Sequence, residues 1–589
     1  MGELLSATKN GSVRHLFFRN NARTCLPEIE GAACLPKIFK QEIWGGPAPG
    51  KLKYLTAIED PITCTKLPPG CCQSHSYSHT YPKHFLIMAD TYTHTFDTPL
   101  YKGAVTLNTK LFINGKWVDP VVKATTDIIN PATGKVLTKV AIGSSKDIDL
   151  AVAAAHNAYY TTWGLRCPGT TRGKLLNKLA DLVEQHFDEF AALEALDAGK
   201  ALEIVKHIDI PVTIAALRHY AGWADKVTGK VLETNENKVA YTRREPYGVV
   251  GAIVPWNVST MMMAMKLGPA LATGNTVVLK PSELTPLTAL RLADLINEAG
   301  FPPGVVNMVN GYGDPVGEAL TLHPGITKVS FTGSVGVGRK VMRAAAESNL
   351  KDVTLELGGK CPTIIFEDAD LEQAVKWAVH GVYFNNGQSC INGSRIYVQD
   401  AIYDDFLARF TQASKEMAAA TGDPFTQGMQ LGPLISQTQF NRVLKYIEEG
   451  KKDGATVHLG GGRHGKEGYF IEPTIFTNTK PNMSIVRDEI FGPVSVIVKF
   501  TTEQEVIEAA NDTSYGLATH LFSADISRAL RVTNMMEAGT VWVNSVIAPD
   551  VNVPFGGYKQ SGIGREFGEG GIDAYTQVKS VHVNIGARL

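Results

Sequence analysis

The sequence predicts an α/β fold built on parallel sheets, and three observations carry that prediction. Short apolar runs at 249–254, 276–279, 305–309 and 328–331 alternate with segments of helical spacing, the pattern of strands buried on both faces and joined by crossover helices. The alternation resumes beyond Cys390, with strands expected at 395–398, 494–500 and 540–543. Finally, 589 residues with 44% hydrophobic and 20% charged side chains and a mean hydropathy of −0.04 suit a globular chain of about three or four domains.

Along the chain, residues 1–87 differ from the rest. They hold Cys25, Cys34, Cys64, Cys71 and Cys72, a His-rich stretch at 74–84 and Pro/Gly clusters, with no sustained period. We expect an appendage, disordered or a mistaken start of the translated gene, with folding from about Met88. Three sharper readings compete with it. Gly2 and Ser6 fit a loose myristoylation pattern; Lys9, Arg14, Arg19 and Arg23 suit a mitochondrial leader; Cys71, Cys72, His75 and His79 are zinc-capable types without paired ligand spacing. From Leu111 the texture is regular. A hairpin is expected over 111–118 about Asn114-Gly115, a dipeptide tolerant of positive φ. Helices follow over 144–163, with Ser144 or Ser145 as cap, and over 171–197. Further helical segments are expected at 339–348 and 374–382.

Charge excludes some functions. Lys+Arg 57 against Asp+Glu 58 leaves −1 with no long run of either sign, so nucleic acid and anionic membranes have no electrostatic claim on the chain. The apolar stretch 259–272 is broken by Lys266 and falls short of a membrane span. The cysteine-poor remainder, with only Cys167, Cys361 and Cys390, reads as intracellular.

Four motifs carry chemistry. Phe331-Thr332-Gly333-Ser334-Val335-Gly336-Val337-Gly338 lies between a strand and a helix, where backbone N–H groups and the helix N-terminus attract a pyrophosphate, although it departs from G-x-G-x-x-G and an ordinary tight turn would also fit. In Val277-Val278-Leu279-Lys280-Pro281-Ser282-Glu283 a strand ends in polar residues, and Glu283 suits ribose hydroxyls while repelling a 2′-phosphate; a solvated ion pair is the plainer alternative. Phe384-Asn385-Asn386-Gly387-Gln388-Ser389-Cys390 presents a nucleophilic thiol whose thiolate a helix N-terminus or a cation would favour. Thr354-Leu355-Glu356-Leu357-Gly358-Gly359-Lys360 sets a carboxylate in an apolar run, suited either to general-base work or to a structural lysine pair.

Together with Val254-Pro255-Trp256-Asn257, Glu489-Ile490-Phe491-Gly492-Pro493-Val494 and Pro554-Phe555-Gly556-Gly557-Tyr558-Lys559-Gln560-Ser561-Gly562, these segments resemble the aldehyde dehydrogenase superfamily in order and in spacing, Cys390 lying 34 residues after Glu356 and 133 after Asn257. The resemblance runs from about 111 to 584. It implies a Rossmann-like cofactor domain (88–225 and 245–357), an α/β catalytic domain (358–573) and a small β oligomerisation element (226–244 and 574–589). The hairpin expected at 229–244, with Asn235-Glu236-Asn237 at its tip, belongs to that element, and a homodimer or homotetramer is implied.

The same resemblance makes Cys390 the nucleophile toward an aldehyde, Asn257 with the Cys390 N–H the oxyanion hole, and Glu356 the base that activates the deacylating water. NAD would be the cofactor, with NADP as the alternative. Lys280 and Glu283 would hold its adenine ribose, Gly333 and Ser334 its pyrophosphate, Trp256 would line the cleft, and Glu489 with Phe491 would position the nicotinamide ribose. Lys266 is expected near the nicotinamide. No metal is required. An enzyme acylating coenzyme A, a cysteine hydrolase and a non-catalytic relative are the rivals; retention of Glu356, the glycine-rich cofactor segments, and intact Cys390, Glu356 and Asn257 weigh against them in turn. The aldehyde is left open, Ile391-Asn392-Gly393 hinting at betaine-type members. Cytosol is the expected location, mitochondrion the alternative.

Overall fold

The computed structural model describes residues 90–588. The readings of 1–87 as an appendage, leader, lipidated terminus or zinc ligand set lie outside the described residues.

An eight-stranded sheet forms the first half. Its parallel core runs in the spatial order Val306–Met308, Thr276–Lys280, Val249–Ile253, Lys328–Thr332, Asp352–Glu356. Consecutive strands therefore step one way from Val249–Ile253, and the chain then crosses to its other side, the doubly wound order of a Rossmann-like sheet. Successive residues show why these strands are apolar throughout. Val277 and Leu279 enter one core with Met263 and Leu267 of helix Ser259–Thr273, whereas Val278 enters another with Ile148 and Val152 of helix Ser145–Thr161. Burial on both faces removes the polar alternation an exposed sheet would show.

The second sheet has seven strands. Its order is Thr456–Leu459, Thr474–Thr477, Val494–Phe500, Arg395–Gln399, Pro362–Ile365, Ala518–Phe522, Thr540–Val543, parallel except for the first. A third sheet joins Thr576–Asn584 to Lys238–Pro246 and Val231–Leu232 in antiparallel register. The expected hairpin tip is present, the Lys238 N–H donating to the Asn235 carbonyl.

Local expectations meet the structure at most places. Leu111–Ile113 pairs with Lys116–Val118 across Asn114 (φ 55°) and Gly115 (φ 71°), as a turn with two left-handed residues requires. Ser144 precedes its helix, with both its N–H and its hydroxyl donating to the Asp147 carboxylate. Three departures stand out. The helix expected over 171–197 is two, Gly169–Gln185 and Phe187–Ala198, because His186 leaves helical geometry and turns the chain so that all of 190–198 is buried. The regular structure begins before Leu111, with the hairpin Thr91–Asp97/Lys102–Asn108, whose alternating residues bury Phe96, Val105 and Leu107. The strands Pro362–Ile365 and Ala518–Phe522 were not expected, because Pro and polar residues interrupt their apolar character. Among the described residues no helix is long and apolar enough to cross a membrane.

Candidate active site

At the switch point the strands Val249–Ile253 and Lys328–Thr332 lie side by side while their continuations diverge. Their carboxyl ends deliver Trp256 and Asn257 on one side and Gly333 and Ser334 on the other, and a crevice opens between them. This cavity of about 590 Å³ is lined by Trp256, Lys280, Glu283, Gly333 and Ser334. Ser334 caps helix Val335–Glu347, its Oγ accepting from the Val337 N–H at 3.4 Å, so the helix N-terminus faces the cavity. The Lys280 ammonium is held by the carbonyls of Gly311 (2.6 Å) and Pro281 (3.0 Å) and lies 3.5 Å from Glu283. Burial lowers its pKa. Thr332, beside the crevice, keeps a buried hydroxyl without a partner.

Behind Trp256 the site is closed. Its ring meets Phe491 edge-to-face, 5.3 Å between centroids, and Phe491 adopts φ +62°. Phe491, Glu489, Ser389 and Gly359 wall a narrow recess. Glu489 is half-buried, and its carboxylate accepts the Gly359 N–H at 3.1 Å. A Cβ at Gly358 would lie 2.2 Å from its other oxygen, so the Gly358-Gly359 pair is what lets this carboxylate approach the backbone.

The cysteine loop is shaped by its own sequence. Asn385, Asn386 and Gly387 are consecutive left-handed residues (φ 51°, 59° and 72°), the region Asn and Gly tolerate best. The Asn385 amide donates to the carbonyls of Asn257 (2.7 Å) and Gln388 (3.0 Å), and the Asn257 amide also donates to Gln388 at 3.0 Å. Asn257 is thereby tied to the chain two residues before the thiol. Cys390 itself occupies the second position of a β-turn closed by the Asn392 N–H on the Ser389 carbonyl.

Glu356 ends the strand Asp352–Glu356, is 2% exposed and keeps an oxygen without a hydrogen-bond partner. Its pKa is pushed well above the carboxylate range, by burial first and then by Glu566, against the cations Lys266 and Arg565. Glu489 is pushed up to about 7 by burial, the Gly359 N–H opposing. Burial, with the charges of Glu356 and Glu489, also raises the Cys390 thiol well above its ordinary value.

No helix N-terminus or cation favours the Cys390 thiolate; its charged neighbours are carboxylates, so deprotonation needs a base. Lys266 does not line the crevice. Its ammonium is buried between Glu566 (2.6 Å) and Ser330 (3.1 Å). Glu566 went unnoticed in the sequence, although a lysine inside the apolar run 259–272 already demanded a buried acid. The segment containing Pro554–Gly562 also gains a physical role: Gly562–Ile563 pairs with Asp352–Glu356, and Ser561 takes the Gly516 N–H and donates to the Gly358 carbonyl. Of the ten expected site residues, Trp256, Lys280, Glu283, Gly333 and Ser334 line the crevice and Glu489 and Phe491 the recess, while Asn257 is tied to the cysteine loop through Asn385 and Gln388.

The sequence model of the aldehyde dehydrogenase family matches residues 117–581. The chain belongs to the aldehyde dehydrogenase family. This aldehyde dehydrogenase is 57% identical over 502 residues to an aldehyde dehydrogenase of Agaricus bisporus, covering 85% of its own length and all of the relative's. It is 48% identical to cytosolic aldehyde dehydrogenase 1 of Mus musculus, with 82% and 96% covered. Among solved structures it superposes on the NAD+ complex of the Bacillus cereus aldehyde dehydrogenase with a TM-score of 0.80 at 47% identity, covering 81% of this chain and 97% of that one. A betaine aldehyde dehydrogenase from Staphylococcus aureus in complex with NAD+ gives 0.80 at 40%, with 82% and 96% covered.

Proposed function

We propose that this aldehyde dehydrogenase oxidises an aldehyde to its carboxylic acid with NAD+ through a covalent adduct on Cys390. NAD(P) is the cofactor of the family's chemistry, and the crevice fits it: a helix N-terminus suits the pyrophosphate, the Lys280–Glu283 pair suits a ribose, and the unpartnered Thr332 hydroxyl offers a further polar contact. Glu283 at the rim disfavours a 2′-phosphate, so NAD is the preferred form. Glu489 and Phe491 border the recess that would receive the nicotinamide ribose.

Cys390 sulfur attacks the carbonyl carbon while its proton passes to the ionised form of Glu356, whose raised pKa makes it a stronger proton acceptor than a free carboxylate. The new oxyanion is met by the Cys390 N–H and by the second Asn257 amide hydrogen, the first being engaged by Gln388. NAD(P)+ held in the crevice would supply the acceptor for the former aldehyde hydrogen and its electron pair, leaving Cys390 as a thioester. Glu356 releases that first proton to solvent, withdraws another from water as the water oxygen attacks the thioester, and returns it to the Cys390 sulfur as the C–S bond breaks and the acid departs.

The observations that carry this reading are that the Asn257 amide is bonded to Gln388, two residues before Cys390, and that the buried Glu356 lies close enough for its charge to act on the Cys390 thiol. Purified protein given NAD+ and an aldehyde panel should form NADH and acid, and Cys390→Ala should form neither; an active Cys390→Ala would refute the nucleophile, and acyl-CoA formation in place of acid would refute the hydrolytic step. We assign 88–225 and 245–357 to cofactor binding, 358–573 to catalysis and the sheet of 226–244 with 574–589 to subunit pairing. Free thiols at Cys167, Cys361 and Cys390 suit a reducing compartment, and we place the enzyme in the cytosol.

A further inference from the structure

The turn that carries Cys390 is gripped from behind by the central strands of the second sheet. Its carbonyls receive side-chain donors in succession: Cys390 O from Cys361 Sγ at 3.6 Å, Ile391 O from His520 Nε2 at 3.1 Å and Gly393 O from Thr363 Oγ1 at 3.3 Å. His520 differs from the others in its surroundings. It sits mid-strand in Ala518–Phe522, between Thr363 and Trp542 on the neighbouring strands, and is wholly buried. Its ring stacks on Trp542 at 5.4 Å and 13°, and Trp542 in turn donates its Nε1–H to the Ala548 carbonyl.

Facing a carbonyl, the imidazole must carry its proton on Nε2. Burial lowers its pKa to about 4, so the ring is neutral near pH 7 and its Nδ1, which has no partner, is a bare lone pair. The ring therefore has one hydrogen bond to give, and Ile391 takes it. A Cβ at Gly393 would come within 3.0 Å of the ring, so the glycine beside the turn is also shaped by His520.

We propose that His520 is a positioning residue for the nucleophile: its Nε2–H fixes the carbonyl of Ile391, the third residue of the Cys390 turn, and so holds the sulfur on its line of attack. The inference rests on Cys390 being the nucleophile. Ångström-scale misplacement of a reacting atom costs about a hundredfold in rate, and loss of this bond loosens the Ile391–Asn392 peptide, which closes the turn that carries the thiol.

Two substitutions separate the hydrogen bond from the packing. His520→Phe keeps a flat ring on Trp542 and removes the donor; His520→Gln replaces the Nε2–H with an amide N–H. His520→Phe should lower kcat about tenfold, the worth of one buried hydrogen bond, and slow alkylation of Cys390 by iodoacetamide in proportion, with KM for NAD+ and aldehyde within about twofold of the parent. His520→Gln should stay within about threefold of the parent in kcat. Parental kcat in a folded His520→Phe, or a His520→Gln as impaired as His520→Phe, overturns the proposal. Should His520→Phe not fold, His520→Gln decides alone: retained kcat upholds the donor and a tenfold loss rejects it. Cys390→Ala assayed alongside keeps the two failures apart, since its activity would remove the nucleophile itself.

Discussion

A carboxyl group sealed from water resists ionisation, and at Glu356 a neighbouring acid adds to that resistance. The Cys390 thiol is pushed the same way, by desolvation and by the charges of Glu356 and Glu489, so it needs a base to take its proton. The pH dependence follows in sign. A base works in its ionised form, and as pH falls through the raised value of Glu356 the carboxylate is lost. The acid limb of kcat/KM should therefore lie well above the ordinary carboxylate range, and a limb near the free glutamate value would reject Glu356 as the base. Glu356→Gln should lower steady-state kcat by at least about a hundredfold, which stopped-flow and steady-state NADH absorbance would measure. Glu356 and Cys390 were both legible in the sequence, as an acid in an apolar glycine-flanked run and a thiol in a polar turn. Glu566 and His520 were not: one is 300 residues from Lys266, the other 129 from Ile391, and only folding joins them.

Among elements, the segment from Pro554 to Ile563 shows how a loop can serve a site it does not enter. The Ser561 hydroxyl bridges the Gly516 N–H and the Gly358 carbonyl, and the Leu357 N–H donates to the Ser561 carbonyl. These bonds fix the backbone between Glu356 and the Gly359 N–H that holds Glu489. Ser561→Ala removes two buried hydrogen bonds, about 2 kcal/mol together, and should lower the thermal midpoint by several degrees along with kcat, as scanning calorimetry and NADH assays on one preparation would show. An unchanged midpoint would deny the bridge. The longer strands and the helices around them were legible because burial on both faces leaves an unbroken apolar run. Pro362–Ile365 and Ala518–Phe522 escaped because Pro362-Thr363 and Thr519-His520 interrupt what would otherwise be apolar runs, and the break at His186 escaped because helical spacing continues on either side of it.

For the whole molecule the exposed feature is the third sheet. Thr576–Asn584 is a nine-residue edge strand with an unpaired side, and Val231 (84% exposed), Val578 (60%) and Ile585 (58%) show apolar surface there. Long uncovered edges invite pairing, and a second copy of the chain is the partner we propose. Val231→Asp with Val578→Asp should shift the mass found by light scattering toward the monomer; an unaltered assembly mass would move the interface elsewhere.

The order of the motifs, their spacing and the apolar runs were enough to determine the family and four of the five parallel strands of the first sheet, and to nominate the reacting groups, because each is written in neighbouring residues. Tertiary structure alone decided what those groups experience. It surrounds Cys390 with carboxylates instead of cations, commits Lys266 to Glu566, and sets His520 behind the nucleophile turn. Charge and hydrogen bonding act through space over a few ångströms, and sequence distance carries no record of them until the sheets have closed.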